Sequence, residues 1–136
     1  MPDKHLFEYA VLRVVPRVER EEFLNVGVIL YCRGLGFLQV RSHLPEARLR
    51  AFTGEELDMD DLRQRLLSFE KICNGRAEGG PIGRLGVAER FRWLTATRST
   101  IVQCSSVHPG LCEDAAAMLD RLYAQLVAPP VAAPTE

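Results

Sequence analysis

Glu22-Phe23-Leu24-Asn25-Val26-Gly27-Val28-Ile29-Leu30-Tyr31 is the stretch from which the fold of this chain is read. From Glu22 to Cys32 the run is almost continuously apolar, which predicts a strand buried on both faces. Two residues break the pattern. A core strand has no packing use for the Asn25 amide, and a glycine such as Gly27 weakens a strand interior. Paired breaks of this kind tend to mark functional or strained positions.

Working outward, Leu6 to Val15 predicts a preceding strand, rich in Tyr9, Val11, Val14 and Val15 and ended by Pro16. Pro16 to Glu21 is a charged turn. Arg33-Gly34-Leu35-Gly36 is a short glycine-bearing connection to a third strand, Phe37 to Ser42, so the first three strands read as an antiparallel meander. Pro45 to Phe52 has room for a short helix. Leu57 to Cys73 is a firmer one, with Met59, Leu62, Leu66, Phe69 and Cys73 on one face, Asp58 as N-cap and Gly75 as terminator. Asn74 to Gly86 holds five glycines and Pro81 and predicts a long flexible loop. Val87 to Leu94 reads as a short helix, Thr100 to Cys104 as a fourth strand, and Cys112 to Val127 as the final helix. The expected fold is α+β: a small, mainly antiparallel sheet of about four strands packed against two main helices.

The chain has 136 residues, which fits one domain, expected over 1–128, with a disordered Pro/Ala-rich tail over 129–136. Its formal net charge of −1 provides no bulk basic field for nucleic acid. No apolar run reaches the roughly 18–20 residues of a membrane span, and Met1-Pro2-Asp3-Lys4-His5 does not resemble a secretory leader. A cytoplasmic location follows as the expectation, with Cys32, Cys73, Cys104 and Cys112 reduced and mostly buried.

Five constellations bear on chemistry. Cys104, His108 and Cys112 have the donor types of a zinc site, but no paired Cys-x2-Cys accompanies them, and buried structural cysteines are the favoured reading. The acidic run Glu55 to Asp61 is accounted for by a helix N-terminus, where carboxylates oppose the macrodipole. Ser99, Ser105 and Ser106 lie near His108 without a nucleophile elbow. Gly79-Gly80-Pro81-Ile82-Gly83 lacks the lysine and hydroxyl of a phosphate loop. The segment Arg90 to Thr100 interleaves arginines with Phe91 and Trp93, a combination that serves protein hot spots or, less readily here, nucleic acid.

Tyr9-Ala10-Val11-Leu12-Arg13-Val14-Val15-Pro16 with Glu22 to Leu30, and Arg90-Phe91-Arg92-Trp93-Leu94 with Arg98 to His108, form two blocks. Together they resemble the bacterial family known as domain of unknown function 3037, over nearly all of the chain. The resemblance brings no catalytic residues with it. Members are often encoded beside HipA-like serine/threonine kinases, which implies an accessory role with such a kinase as partner.

The expectation is thus a non-enzymatic, protein-binding domain without cofactor or metal. Glu22, Asn25 and Arg98 are expected to form a polar cluster with Gln103 and His108 close by, provided that the fourth strand pairs near the second. Arg90 and Arg92 are expected partner contacts. A nucleic-acid-binding or nucleic-acid-processing module acting through 90–98 is the alternative, and a homodimer a third possibility.

Overall fold

The structure is a computed structural model and describes residues 3–53, 57–96 and 100–128. Arg98, Ser99, Glu55, Glu56 and the tail expected to be disordered lie outside the described residues.

Strand β1 (His5–Val14) is the axis of the sheet, because three other strands share its two edges. On one side β2 (Leu24–Cys32) pairs with it antiparallel, and β3 (Phe37–Ser42) then pairs with β2 as the meander requires. On the other side β4 (Val102–Cys104) covers Leu12–Val14, and β5 (His108–Cys112) covers His5–Tyr9. The gap between β4 and β5 is closed by Ser105. Its N–H donates to the Val11 carbonyl at 2.8 Å, and its hydroxyl accepts from the Val11 N–H at 2.8 Å. A side chain thus stands in for the missing main-chain acceptor.

The helices lie on both faces of the sheet. α1 (Glu46–Thr53), α2 (Met59–Asn74), the single turn α3 (Gly80–Gly83) and α4 (Val87–Thr95) belong to one side. There Leu49, Leu62, Leu66, Phe69, Phe91 and Leu94 pack with Ala10, Leu12, Val14 and Ile29. α5 (Ala115–Leu126) covers the opposite face, where Ala115, Leu119 and Leu122 meet Val28, Leu30 and Cys32. This three-layer arrangement explains why β2 is buried on both faces, as its apolar run predicts. The architecture is α+β, with the predicted Asp58 cap in place: its Oδ1 accepts from the Asp61 N–H at 3.0 Å.

Three expectations change. The segment 74–86 is a folded connection and not a long flexible loop. It contains a 3-10 turn at Ala77–Gly79 and then α3, and a Cβ on Gly83 would stand 2.7 Å from the Arg76 carbonyl oxygen. His108–Cys112 is a fifth strand where about four were expected; an edge position tolerates its proline, and the Phe7 ring lies over Gly110, 2.4 Å from where a Cβ would be. The last helix starts at Ala115, because the Asp114 side chain caps it by accepting from the Ala117 N–H.

Candidate functional site

The pairing of β1 with β2 slips between Leu12 and Arg13. Leu12 stands opposite Gly27, but Arg13 stands opposite Asn25, so Val26 is the extra residue of a β-bulge. Gly27 is required here by close approach. A Cβ would meet the Ser42 Cβ at 2.9 Å and the Arg41 carbonyl oxygen at 3.0 Å. The bulge turns Val26 toward the α1–α4 side, where it is fully buried, and sends Asn25 to the α5 side.

Across β1, Arg13 also pairs with Gln103 of β4. Directly opposed residues share a face of an antiparallel sheet, at Cβ separations of about 4.5–5.5 Å. Asn25, Arg13 and Gln103 therefore form one polar row across three strands on the α5 side. The Asn25 Nδ2 donates to the Leu126 carbonyl at 3.1 Å, satisfying an orphan acceptor at the C-terminal end of α5. Gln103 Nε2 donates to the Thr100 carbonyl at 2.9 Å.

Arg13 itself has no ion pair or hydrogen bond from its side chain among the described residues. Its Cζ lies 4.0 Å from the centroid of the Phe23 ring, a cation–π contact. The Arg13 Nε and the Asn25 Oδ1 are both buried and without a hydrogen-bond partner, a rare condition in folded proteins. Phe23 remains 43% exposed above this pair, outside both cores. Beside it opens a cavity of about 260 Å³ lined by Phe23, Leu24, Asn25, Arg48, Gln125 and Leu126, among others. Cofactor and drug-sized sites are usually about 300–1,000 Å³, so this one suits a single side chain better.

The residues expected from sequence are only partly brought together. Asn25 and Gln103 flank Arg13, while His108 shares their face at the position opposite Tyr9, with ring centroids 5.4 Å apart. That position is four residues along β1 from Arg13, about 13 Å. Glu22 is outside the row and accepts from Arg20 Nε at 2.7 Å. The expected contact of Glu22 with Arg98 falls outside the described residues. β4 pairs with β1 and so lies one strand away from β2.

Arg90 and Arg92 have partners within the fold. Arg90 Nη1 donates to the carbonyls of Ile72 and Cys73 at 2.8 and 2.7 Å, capping α2, and its Nε donates to Leu85 at 3.0 Å. Arg92 pairs with Glu8 at 3.0 Å. Phe91 is fully buried, whereas Trp93 is at the surface. The metal-donor trio does not converge, since Cys104 packs on the α1–α4 side and Cys112 on the α5 side. Burial pushes the Cys73 thiol up to about 12 and raises that of Cys112 as well, so both stay protonated near neutrality. Ser105 is buried with its hydroxyl engaged twice, accepting from Val11 and donating to the Ser106 carbonyl at 2.9 Å.

Arg13 and Phe23 are the functional candidates that sequence reasoning passed over. The available signal was a cation inside the apolar run Val11-Leu12-Arg13-Val14-Val15. A lone charge there is as anomalous as Asn25, and the two anomalies stand opposite each other.

Fold and site define a three-layer α+β domain with an unsatisfied polar corner next to an exposed aromatic ring. The chain belongs to a family of proteins of unknown function, DUF3037, whose model matches residues 9–127. Comparisons with curated proteins and with solved structures find no match. No helix among the described residues is long and apolar enough to cross a membrane.

Proposed function

We propose that this chain is a non-enzymatic accessory domain that binds another protein, with the Phe23–Arg13 corner as its contact. The observation that carries this is a half-exposed aromatic ring stacked on a guanidinium that has no other partner among the described residues, beside a cavity of one side chain's size. Arginines and large aromatic rings in such settings dominate the energetics of protein interfaces. Three of the side chains able to act as nucleophiles are consistent with the same reading. Ser105 is engaged in the sheet, and Cys73 and Cys112 are held as thiols. Nucleic acid is the weaker reading, because Arg90 and Arg92 already have partners inside the fold.

A cytoplasmic HipA-like serine/threonine kinase is the partner to try first. Calorimetric titration of such a kinase from the same genome should give saturable binding by the wild-type chain. Phe23→Ala should weaken it by about thirtyfold, as loss of a hot spot does. No heat with the kinase would remove that partner, and equal binding by Phe23→Ala would remove the surface.

A further inference from the structure

We infer that the Arg13 corner is a carboxylate receptor: it takes an aspartate or glutamate side chain from an acidic segment of the partner protein, whose adjacent apolar side chain enters the neighbouring cavity. The inference rests on the protein-binding reading above and names the chemistry of what is bound.

Charge is the first ground. A guanidinium held half out of water is costly unless it is paired, and among the described residues Arg13 has only the π face of Phe23. Its Nε is sealed in the sheet, so the exposure that Arg13 retains lies elsewhere than at that atom. A planar fork approached at its terminal nitrogens matches a carboxylate through two parallel hydrogen bonds. Asn25 and Gln103 stand opposite Arg13 on the neighbouring strands and do not neutralise it, since amides carry no charge.

The helix end supplies the second ground, and it selects among anions. Asn25 is bonded to the last residue of α5, so the corner lies at the C-terminal, negative end of that helix. That end favours the guanidinium and works against a bound dianion. A phosphate group or a nucleic-acid backbone meets this penalty doubly, while a carboxylate carries a single charge. Phosphate sites prefer the opposite end of a helix.

The third ground is the cavity. It shares Phe23 and Asn25 with the Arg13 corner and is walled by Leu24 and Leu126. A segment with an acidic residue next to an apolar one fills both features at once.

The test uses the full chain labelled with nitrogen-15 and two probes, acetyl-Glu-Leu-amide and acetyl-Gln-Leu-amide, added at equal ionic strength. The Arg13 Nε–H and the Asn25 and Gln103 side-chain amides are followed by nuclear magnetic resonance. The glutamate probe should shift these signals saturably, with a Kd on the order of 10 mM. The glutamine probe should bind at least about tenfold more weakly, the loss of one charged hydrogen-bonded contact. Arg13→Lys keeps the charge but not the fork, and should weaken the glutamate probe while the amide spectrum stays folded. Inorganic phosphate at the same concentration should shift the row less than the glutamate probe.

Equal responses to the two peptides, or a stronger response to phosphate, overturn the proposal. Failure of the kinase titration with retention of glutamate-selective binding would sink the proposed partner and keep the receptor. Kinase binding sensitive to Phe23→Ala, with no preference for glutamate, would do the reverse.

Discussion

Replacing Arg13 by methionine should separate a residue kept for binding from one kept for folding. Methionine retains the flexible, unbranched stem that packs in the sheet and removes the guanidinium. Leaving a buried donor such as the Arg13 Nε–H unsatisfied costs about 1–3 kcal/mol, and that cost disappears. Against it stands the lost contact with Phe23, about 0.5–1 kcal/mol for a partly exposed cation–π pair. The difference favours the variant by roughly 0–2 kcal/mol, or a rise in Tm of about 3–5 °C per kcal/mol for a domain of this size. Urea denaturation followed by circular dichroism measures it. A double-mutant cycle with Phe23→Ala isolates the pairwise contact. Increased stability together with lost partner binding is the signature of a residue retained at a stability cost for function. A loss of more than about 1 kcal/mol would refute the reasoning, since it would mean that Arg13 anchors a structural network.

Three other perturbations read different parts of the structure. Ser105→Ala should cost about 1–3 kcal/mol by leaving the buried Val11 N–H without an acceptor, and hydrogen exchange at Val11 should accelerate while that of Leu30 changes less. Arg76→Gly should stabilise the chain by about 0.5–2 kcal/mol, because Arg76 holds φ 66° and ψ −162°, a conformation nearly confined to glycine; an unchanged denaturation midpoint would contradict this. The Cys73 thiol is raised from an ordinary 9.0 to about 12 by burial, so above pH 9 the unfolded chain releases a proton that the folded chain keeps. Its contribution is therefore intact below pH 9 and falls by up to about 1.4 kcal/mol per pH unit from there toward 12. Cys73→Ala should show a shallower decline between pH 8 and 10 than the parent, and parallel curves would refute the assignment.

The parts of the fold legible in sequence were those that short-range chemistry decides. The β1–β2–β3 meander follows from apolar runs separated by Pro16 and by Gly34 and Gly36. The start of α2 follows from Asp58, and its end from Gly75. β5 was hidden because its Pro109 and Gly110 are strand breakers in isolation. They become acceptable only when β1 supplies Phe7 to lie over the glycine and when the strand is at the sheet edge. The order within 74–86 was hidden for a similar reason: Arg90, from another element, ties the end of α2 to Leu85. Sequence reading did single out Asn25 and Gln103, but it could not see that the residue between them is Arg13, since that depends on register across three strands.

Register also joins the two breaks in β2 into one device. Side chains alternate between faces along a strand, so one inserted residue exchanges the faces of everything before it. With regular pairing, a Gly27 facing the α1–α4 side would put Asn25 on that same side, an amide among Leu12, Leu49 and Leu62. The bulge at Val26 instead delivers Asn25 to the end of α5, where Leu126 offers a carbonyl. Leu24 then returns to the main core, and Phe23 comes over Arg13. Gly27 makes this possible because β3 approaches too closely to admit a Cβ at the point where the strand bends. The glycine is thus architectural, the asparagine is half architectural and half unsatisfied, and the exposed Phe23–Arg13 stack depends on both. Deleting Val26 should consequently abolish the corner and destabilise the core together, whereas Phe23→Ala should remove only the corner.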